Sequence, residues 1–296
     1  MYINDLLVIS MFLVFVGFLF TGFPIAWVLG GVGVLFAGIG YLADIYLDTT
    51  TGLDFLTLGL VVNRIYKIMD NWILVALPMF IFMGLMLEKS GLAESLMLSL
   101  QELFGKVRGG LAISVTLIGV ILAACTGIIG ASVVLLGLLS LPAMLNQGYA
   151  KPLALGTIAG SGTLGILIPP SIMLVIMADQ LGLSVGDLFM GAVFPGLILG
   201  GLYISYVLIY SYFNPAKAPL SANLRPFSWW MIFNVLKSIF PPVLLIIAVL
   251  GSIFAGVTTP TEASGVGALG AIILSWGNRK LNFQIFRETL HATFDT

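Results

Sequence analysis

The chain reads as an all-α polytopic membrane protein, and three features predict that class. Of its 296 residues 59% are hydrophobic and only 8% charged, whereas a soluble domain carries roughly 25% charged residues to cover its surface. The apolar residues come in runs of about twenty, the length of a helix crossing a ~30 Å hydrocarbon core. Membrane barrel strands would instead show ~10-residue alternating segments. The N-terminus, MYINDLL, lacks a basic region and a small-residue cleavage site, so its apolar run is read as a retained span rather than a signal peptide.

Taken in order, the first span is Leu6–Phe20, closed by a break at Thr21-Gly22-Phe23-Pro24. Pro24 suits the first turn of the second span, Pro24–Ala43. A polar connection, Asp44–Asn71, follows with Asp44, Asp48, Asp54, Arg64, Lys67 and Asp70; within it Leu53–Met69 has apolar residues at helical spacing and is expected along the interface. The third span is Trp72–Leu87, containing Pro78. Leu92–Val107 carries Glu94, Gln101, Glu102 and Lys106 among leucines, and is not counted as a span.

Two long apolar segments come next, each interrupted by small and hydroxylated residues. Leu111–Leu145 breaks at Thr126–Ser132, leaving arms of about fourteen residues, or roughly 21 Å at helical rise. That is too short for either arm to cross alone, so a re-entrant hairpin is expected, with one broken helix across the whole bilayer as the alternative. Pro152–Leu181 is read as a crossing helix unwound between Gly160 and Ser171. Val185–Phe213 is a long span with Pro195, Gly196, Gly200 and Gly201. Asn214–Trp230 is a linker with interfacial aromatics Phe227, Trp229 and Trp230. Two further spans, Met231–Ala255 and Pro260–Trp276, lead to a polar tail ending at Thr296. The domain reading is therefore scaffold helices and an interfacial arm over 1–110, a transport part over 111–213, a linker over 214–230, and opening scaffold helices of a second repeat over 231–296.

An unwound backbone in hydrocarbon leaves peptide groups without partners at several kcal/mol each, so it persists only inside protein or beside a ligand. Paired broken segments are the best sequence pointer to a transporter's binding site. The candidate residues for sodium and substrate are Thr126, Gly127, Gly130 and Ser132 in the first break, and Ser161, Gly162, Thr163, Gly165, Pro169, Pro170 and Ser171 in the second. Freed carbonyls and neutral hydroxyls suit sodium, and half-helix N-termini attract an anionic substrate. Small residues also let membrane helices pack closely, which would make the same positions structural. A non-transporting scaffold or channel-like protein using them for packing is the alternative function.

Thr259-Pro260-Thr261-Glu262 fits a helix start, with Thr259 as N-cap and Glu262 closing a capping box. A glutamate in so apolar a region is also a candidate for a coupling role. Enzyme chemistry has little to work with. His291 is the single histidine and lies outside the spans, which removes a His-based zinc site or a Ser-His pair within the membrane. Cys125 is the only cysteine, so neither an intrachain disulfide nor a multi-thiolate metal site is available. No resident cofactor and no nucleic-acid partner are expected.

A faint internal repeat relates Phe20-Thr-Gly22-Phe-Pro24 to Phe254-Ala-Gly256…Pro260, with Pro24/Pro260 and Gly31/Gly267 sharing an offset of 236 residues. It predicts one complete repeat and the opening of a second, in a chain that stops short of the second broken pair. With five crossings in the first repeat, Arg64 and Lys67 fall on the N-terminal side and the other ten of the twelve basic residues opposite. The N-terminus is then expected outside, in the periplasm, with the hairpin entering from the cytoplasm. Were Leu92–Val107 to cross, Lys89 alone would oppose the other eleven and the orientation would flip.

Four stretches carry a family resemblance: Ala154–Ile172 (ALGTIAGSGTLGILIPPSI), Gly137–Tyr149 (GLLSLPAMLNQGY), Ala76–Leu87 (ALPMFIFMGLML) and Thr259–Ala268 (TPTEASGVGA). Jointly they resemble the large membrane subunit of tripartite ATP-independent periplasmic (TRAP) transporters. ACTGIIGASVV and GTLGILIPPS are most similar to the mannitol/chloroaromatic-type branch. The resemblance covers essentially the whole chain, although members of that family are longer, which implies an N-terminal, truncated part. It implies an inverted-repeat, elevator-type symporter of the bacterial inner membrane, with sodium as coupling ion. It also implies an organic-acid (carboxylate) substrate delivered by a periplasmic substrate-binding protein, and a small four-helix membrane subunit as partner.

Overall fold

A computed structural model describes residues 3–46, 50–52, 55–127, 129–220 and 228–296. Thirteen α-helices and no strands occur among them, so the all-α class holds. Contacts divide the chain into two compact units, Met1–Asn71 and Trp72–Thr296.

In the first unit α1 (Ile3–Leu19) and α2 (Ile25–Tyr46) are joined by a tight turn in which Gly22 takes φ +81°, a left-handed conformation that glycine adopts without a Cβ penalty. Val28, Val32 and Phe36 of α2 bury against Leu7 and Phe15 of α1. The rest of both helices presents apolar side chains outward, Trp27 at 78% exposure among them, as a lipid-facing surface requires. In the last turn of α2 the Asp44 carboxylate accepts hydrogen bonds from the Thr51 N–H at 2.8 Å and from the Thr51 hydroxyl at 2.7 Å. The amphipathic helix expected in this connection is present as α3 (Phe55–Met69). Asp48 and Asp54 lie outside the described residues.

The second unit opens with a 3-10 turn (Trp72–Val75) running into α4 (Ala76–Lys89), followed by α5 (Leu92–Phe104). α5 packs one apolar face, Leu92, Leu96 and Leu100, into the core and leaves Glu94 and Glu102 outside. Next come α6 (Gly110–Thr126) and α7 (Ile129–Asn146), then α8 (Lys151–Thr163), a 3-10 turn (Leu164–Ile166) and α9 (Ile172–Leu181). α10 (Val185–Phe213) occupies the expected long span, and α11 (Trp229–Phe254) begins two residues before its expected start, with Ser228 capping the Trp230 N–H. α12 (Pro260–Gly277) lies along α4, where Gly267 allows close approach, since a Cβ there would stand 2.6 Å from Met83 Sδ; Gly270 instead seats Leu245 of α11. Among the described residues four helical stretches are long and apolar enough to cross a membrane: Ile25–Tyr46, Trp72–Lys89, Val185–Phe213 and Trp229–Phe254. α12, rich in small residues, is not among them.

The tail read from the sequence as polar folds into a regular element. It is an amphipathic helix, α13 (Phe283–Asp295), started by the Asn282 side chain accepting from the Ile285 N–H at 2.7 Å. Gln284, Arg287, Glu288 and His291, interleaved along the same stretch, hid its apolar face in the sequence. That face docks on α4 through Phe286 against Phe82 (ring centroids 5.9 Å apart). Lys89 and Glu288 pair beside that contact at 2.9 Å. Core packing in this unit forms two large clusters, one around α4, α9 and α12 and one around α5 to α8. A small third cluster, Ala124, Leu164 and Ile168, sits at the level of the two breaks.

Candidate functional site

The two broken segments meet. α7 runs antiparallel to α8, because Gly137 faces Ile158 while Val133 faces Gly162. α6 runs parallel to α8, because Gly119 faces Ser161 while Ala124 packs with Leu164 and Ile168. α6 and α7 therefore form the hairpin expected for Leu111–Leu145. Its arms of 17 and 18 residues, about 26 Å each at helical rise, remain shorter than a ~30 Å hydrocarbon core.

At the hairpin tip Gly127 is buried and takes φ +60°. A Cβ there would stand 3.1 Å from the Ile172 N and 3.4 Å from the Pro170 O and Ser171 Cα. Only a glycine lets the tip sit directly on the second break. Four half-helix ends thus converge: the C-termini of α6 and α8, with partial negative charge, and the N-termini of α7 and α9, with partial positive charge. Thr126 closes α6, but its side chain, like residue Ile128, lies outside what the structure describes.

The candidate hydroxyls divide by environment. The Ser161 hydroxyl donates to the Thr157 carbonyl at 2.6 Å, and its Cα lies 3.2 Å from where a Gly119 Cβ would be. Gly162 is pressed against Val133, whose backbone N and Cα would lie 3.1 Å from an added Cβ. These two positions are close-packing contacts between helices. The Thr163 hydroxyl faces outward and donates to the Gly160 carbonyl at 2.7 Å. Ser132 is buried at 1% exposure, Gly165 is buried in the 3-10 turn, and Gly130 is open on the surface.

Ser171 differs from all of these. It is completely buried, its backbone is extended (φ −117°, ψ 129°), and it occupies the N-cap position of α9 without its side chain capping the helix. Its hydroxyl finds no hydrogen-bond partner among the described residues, a costly state for a buried polar group. Pro169 and Pro170, both buried beside it, have no N–H to pair the neighbouring carbonyls. Neutral oxygens are what this bend presents, a donor set that fits a hard monovalent cation. Among the described residues no group of three His, Cys, Asp or Glu side chains could hold a metal ion.

Thr259 and Glu262 form a complete capping box. The Thr259 hydroxyl accepts from the Glu262 N–H at 3.3 Å, and the Glu262 carboxylate accepts from the Thr259 N–H at 2.8 Å. Both sit away from the breaks at the exposed start of α12, where the Thr261 hydroxyl donates to the Trp72 carbonyl at 3.1 Å.

Two features escaped sequence reasoning. Gly196 and Gly200 of α10 are the seats for Ile168 of the second break and Val120 of the hairpin. Tyr203, Tyr206 and Tyr210 line a cleft of about 310 Å³ against α8, opposite Gly156, Thr157 and Gly160. Their spacing of three and four residues along one helix face was the available signal.

Residues 12–296 match the family described as "Tripartite ATP-independent periplasmic transporter, DctM component". The chain belongs to this DctM family. A C4-dicarboxylate TRAP transporter large permease protein DctM of Vibrio cholerae is 31% identical over 272 residues, covering 90% of this chain and 55% of that protein. The protein of the same name from Rhodobacter capsulatus is 32% identical over 268 residues, covering 86% and 59%. The sialic acid TRAP transporter large permease protein SiaM of Vibrio cholerae is 30% identical over 281 residues, covering 95% and 62%. The chain spans about half the length of the curated relatives it matches. Family and apolar helices together make it a multi-pass protein of the inner membrane, and the family is one of transporter permeases rather than enzymes.

Proposed function

We propose that this DctM-family chain carries part of the transport site of a sodium-coupled, binding-protein-dependent importer of organic acids. The observation that supports it is the buried Ser171 hydroxyl, without a partner among the described residues, at the point where Gly127 meets the second break. Sodium would be held by that hydroxyl and by carbonyls released around Pro169 and Pro170. The N-termini of α7 and α9 would draw the substrate carboxylate to the same place. Organic acids are the substrate class because C4-dicarboxylate and sialic acid are named for the relatives.

On the same reading the hairpin and the broken helix move together, as in an elevator, and the hairpin enters from the cytoplasm with the N-terminus in the periplasm. A periplasmic substrate-binding protein and a small four-helix membrane subunit are the partners. ACTGIIGASVV and GTLGILIPPS favour the mannitol/chloroaromatic-type branch. Close packing at Gly119–Ser161 and Gly162–Val133 favours a structural role for those positions, so Ser161 and Gly162 are assigned to packing and Ser171 to the ion.

The test is sodium-driven uptake by the complete permease in proteoliposomes. Ser171→Ala should raise the sodium concentration for half-maximal uptake by roughly 5- to 100-fold, the equivalent of one lost buried polar contact. An unchanged sodium dependence would leave the scaffold reading as the better account of these residues.

A further inference from the structure

We infer that the cleft between α8 and α10, which reaches Ser161 at the near end of the second break but not Ser171, binds an acidic phospholipid. The cleft holds about 310 Å³, within the usual size of a small-molecule site. Its floor is Gly156 and Gly160 of α8, and its wall is Tyr203, Tyr206 and Tyr210 of α10. No atom lies within 4 Å of where a Gly156 Cβ would be, so the groove is open at its floor. Tyr206 is 62% exposed and stacks on Tyr210 at a ring-centroid distance of 5.8 Å. Such amphipathic rings favour the boundary between hydrocarbon and headgroups.

One end of the cleft is cationic and rigidly built. The Lys217 ammonium donates to the Tyr210 hydroxyl at 3.3 Å and stands 5.6 Å from that ring's centroid. Lys217 is held there by its own carbonyl, which accepts from the Ala150 N–H at 3.0 Å, and by Gln147 Nε2 donating to the Pro219 carbonyl at 3.2 Å. Lys151 begins α8 at this end. Arg108 precedes Gly109, which packs against Ser211 and Val207 of α10, so it belongs to the same end. Inside the cleft Thr157 is only 8% exposed, and its hydroxyl has no hydrogen-bond partner among the described residues.

A basic end, an apolar groove between membrane helices and a buried unpaired hydroxyl between them match one chemistry. A phosphate headgroup pairs with Lys217, a glycerol or ester oxygen reaches the Thr157 hydroxyl, and an acyl chain lies over Gly156 and Gly160. Basic pockets between membrane helices are a known means of headgroup capture.

The test uses the purified chain, stripped of lipid in detergent, with binding followed by native mass spectrometry. Phosphatidylglycerol should be retained, with phosphatidylcholine several-fold weaker and inorganic phosphate without effect. Lys217→Gln should weaken phosphatidylglycerol binding about fivefold, and Gly156→Leu, which fills open space, should abolish it. Wild-type affinity in both variants would overturn the proposal. Equal binding of the zwitterionic lipid would overturn the role of Lys217, and competition by phosphate alone would make this a free-anion site. Loss of co-purifying small subunit in the variants, with lipid binding unchanged, would show that a protein helix fills the cleft instead.

Discussion

Alanine at Gly127 should destabilise the protein by more than its backbone conformation explains, and the excess measures the docking of the hairpin tip. Gly127 and Gly182 have similar left-handed backbones, φ +60° and +67°. Forcing an L-residue into that region costs roughly 1–2 kcal/mol at either site. The surroundings differ. No atom lies within 4 Å of a Cβ on Gly182, whereas a Cβ on Gly127 meets the Ile172 N at 3.1 Å and Pro170 and Ser171 backbone at 3.4 Å. Backbone atoms cannot rotate away, so Gly127→Ala adds an overpacking cost of about 1–3 kcal/mol. The gain from stiffening the unfolded chain is common to both variants and cancels. Unfolding of each single variant in mixed micelles, followed by circular dichroism, gives the difference directly. Equal destabilisation of Gly127→Ala and Gly182→Ala would refute the docking of tip on break.

Two further outcomes test other parts of the molecule. The Glu288 carboxyl is held below its ordinary value by the hydrogen bond from Lys89, then by that from Gln284, then by the Lys89 charge. Its contribution is therefore complete above ~4.3, the unperturbed glutamate value, and is lost as pH falls through the lowered native value. Protection factors of the α13 amides, taken against the intrinsic exchange rate at each pH, should fall in that acid window; persistence of the step in Glu288→Gln would assign it to another group. Cysteines placed singly at Asp70 and Gln147, in a Cys125→Ser background, should label from opposite membrane faces, with Asp70 outside. Labelling of both from one face would reverse the proposed orientation.

Much of the architecture was legible because membrane helices are written locally. The run lengths of Val185–Phe213 and Trp72–Lys89 state their span directly, since hydrocarbon leaves little choice about where polar residues go. Gly22, Gly127 and the Pro169–Ser171 stretch announced their breaks because glycine and proline act on the backbone at their own position. Thr259 and Glu262 were readable as a cap for the same reason: both partners lie within one turn.

The sequence by itself therefore determined the apolar helices, the two interruptions and the family, but not the helix α13. Only the tertiary structure decided how the small residues are used. Glycine and serine look alike whether they seat a neighbouring helix or free a backbone for a ligand, and the choice depends on what stands opposite. Ser161 faces Gly119 and back-bonds within its helix, while Ser171 is buried without a partner among the described residues. The docking of α13 on α4 and the tyrosine cleft are likewise contacts between segments distant in sequence. Such contacts depend on the packing of whole helix faces, which no single stretch of residues encodes.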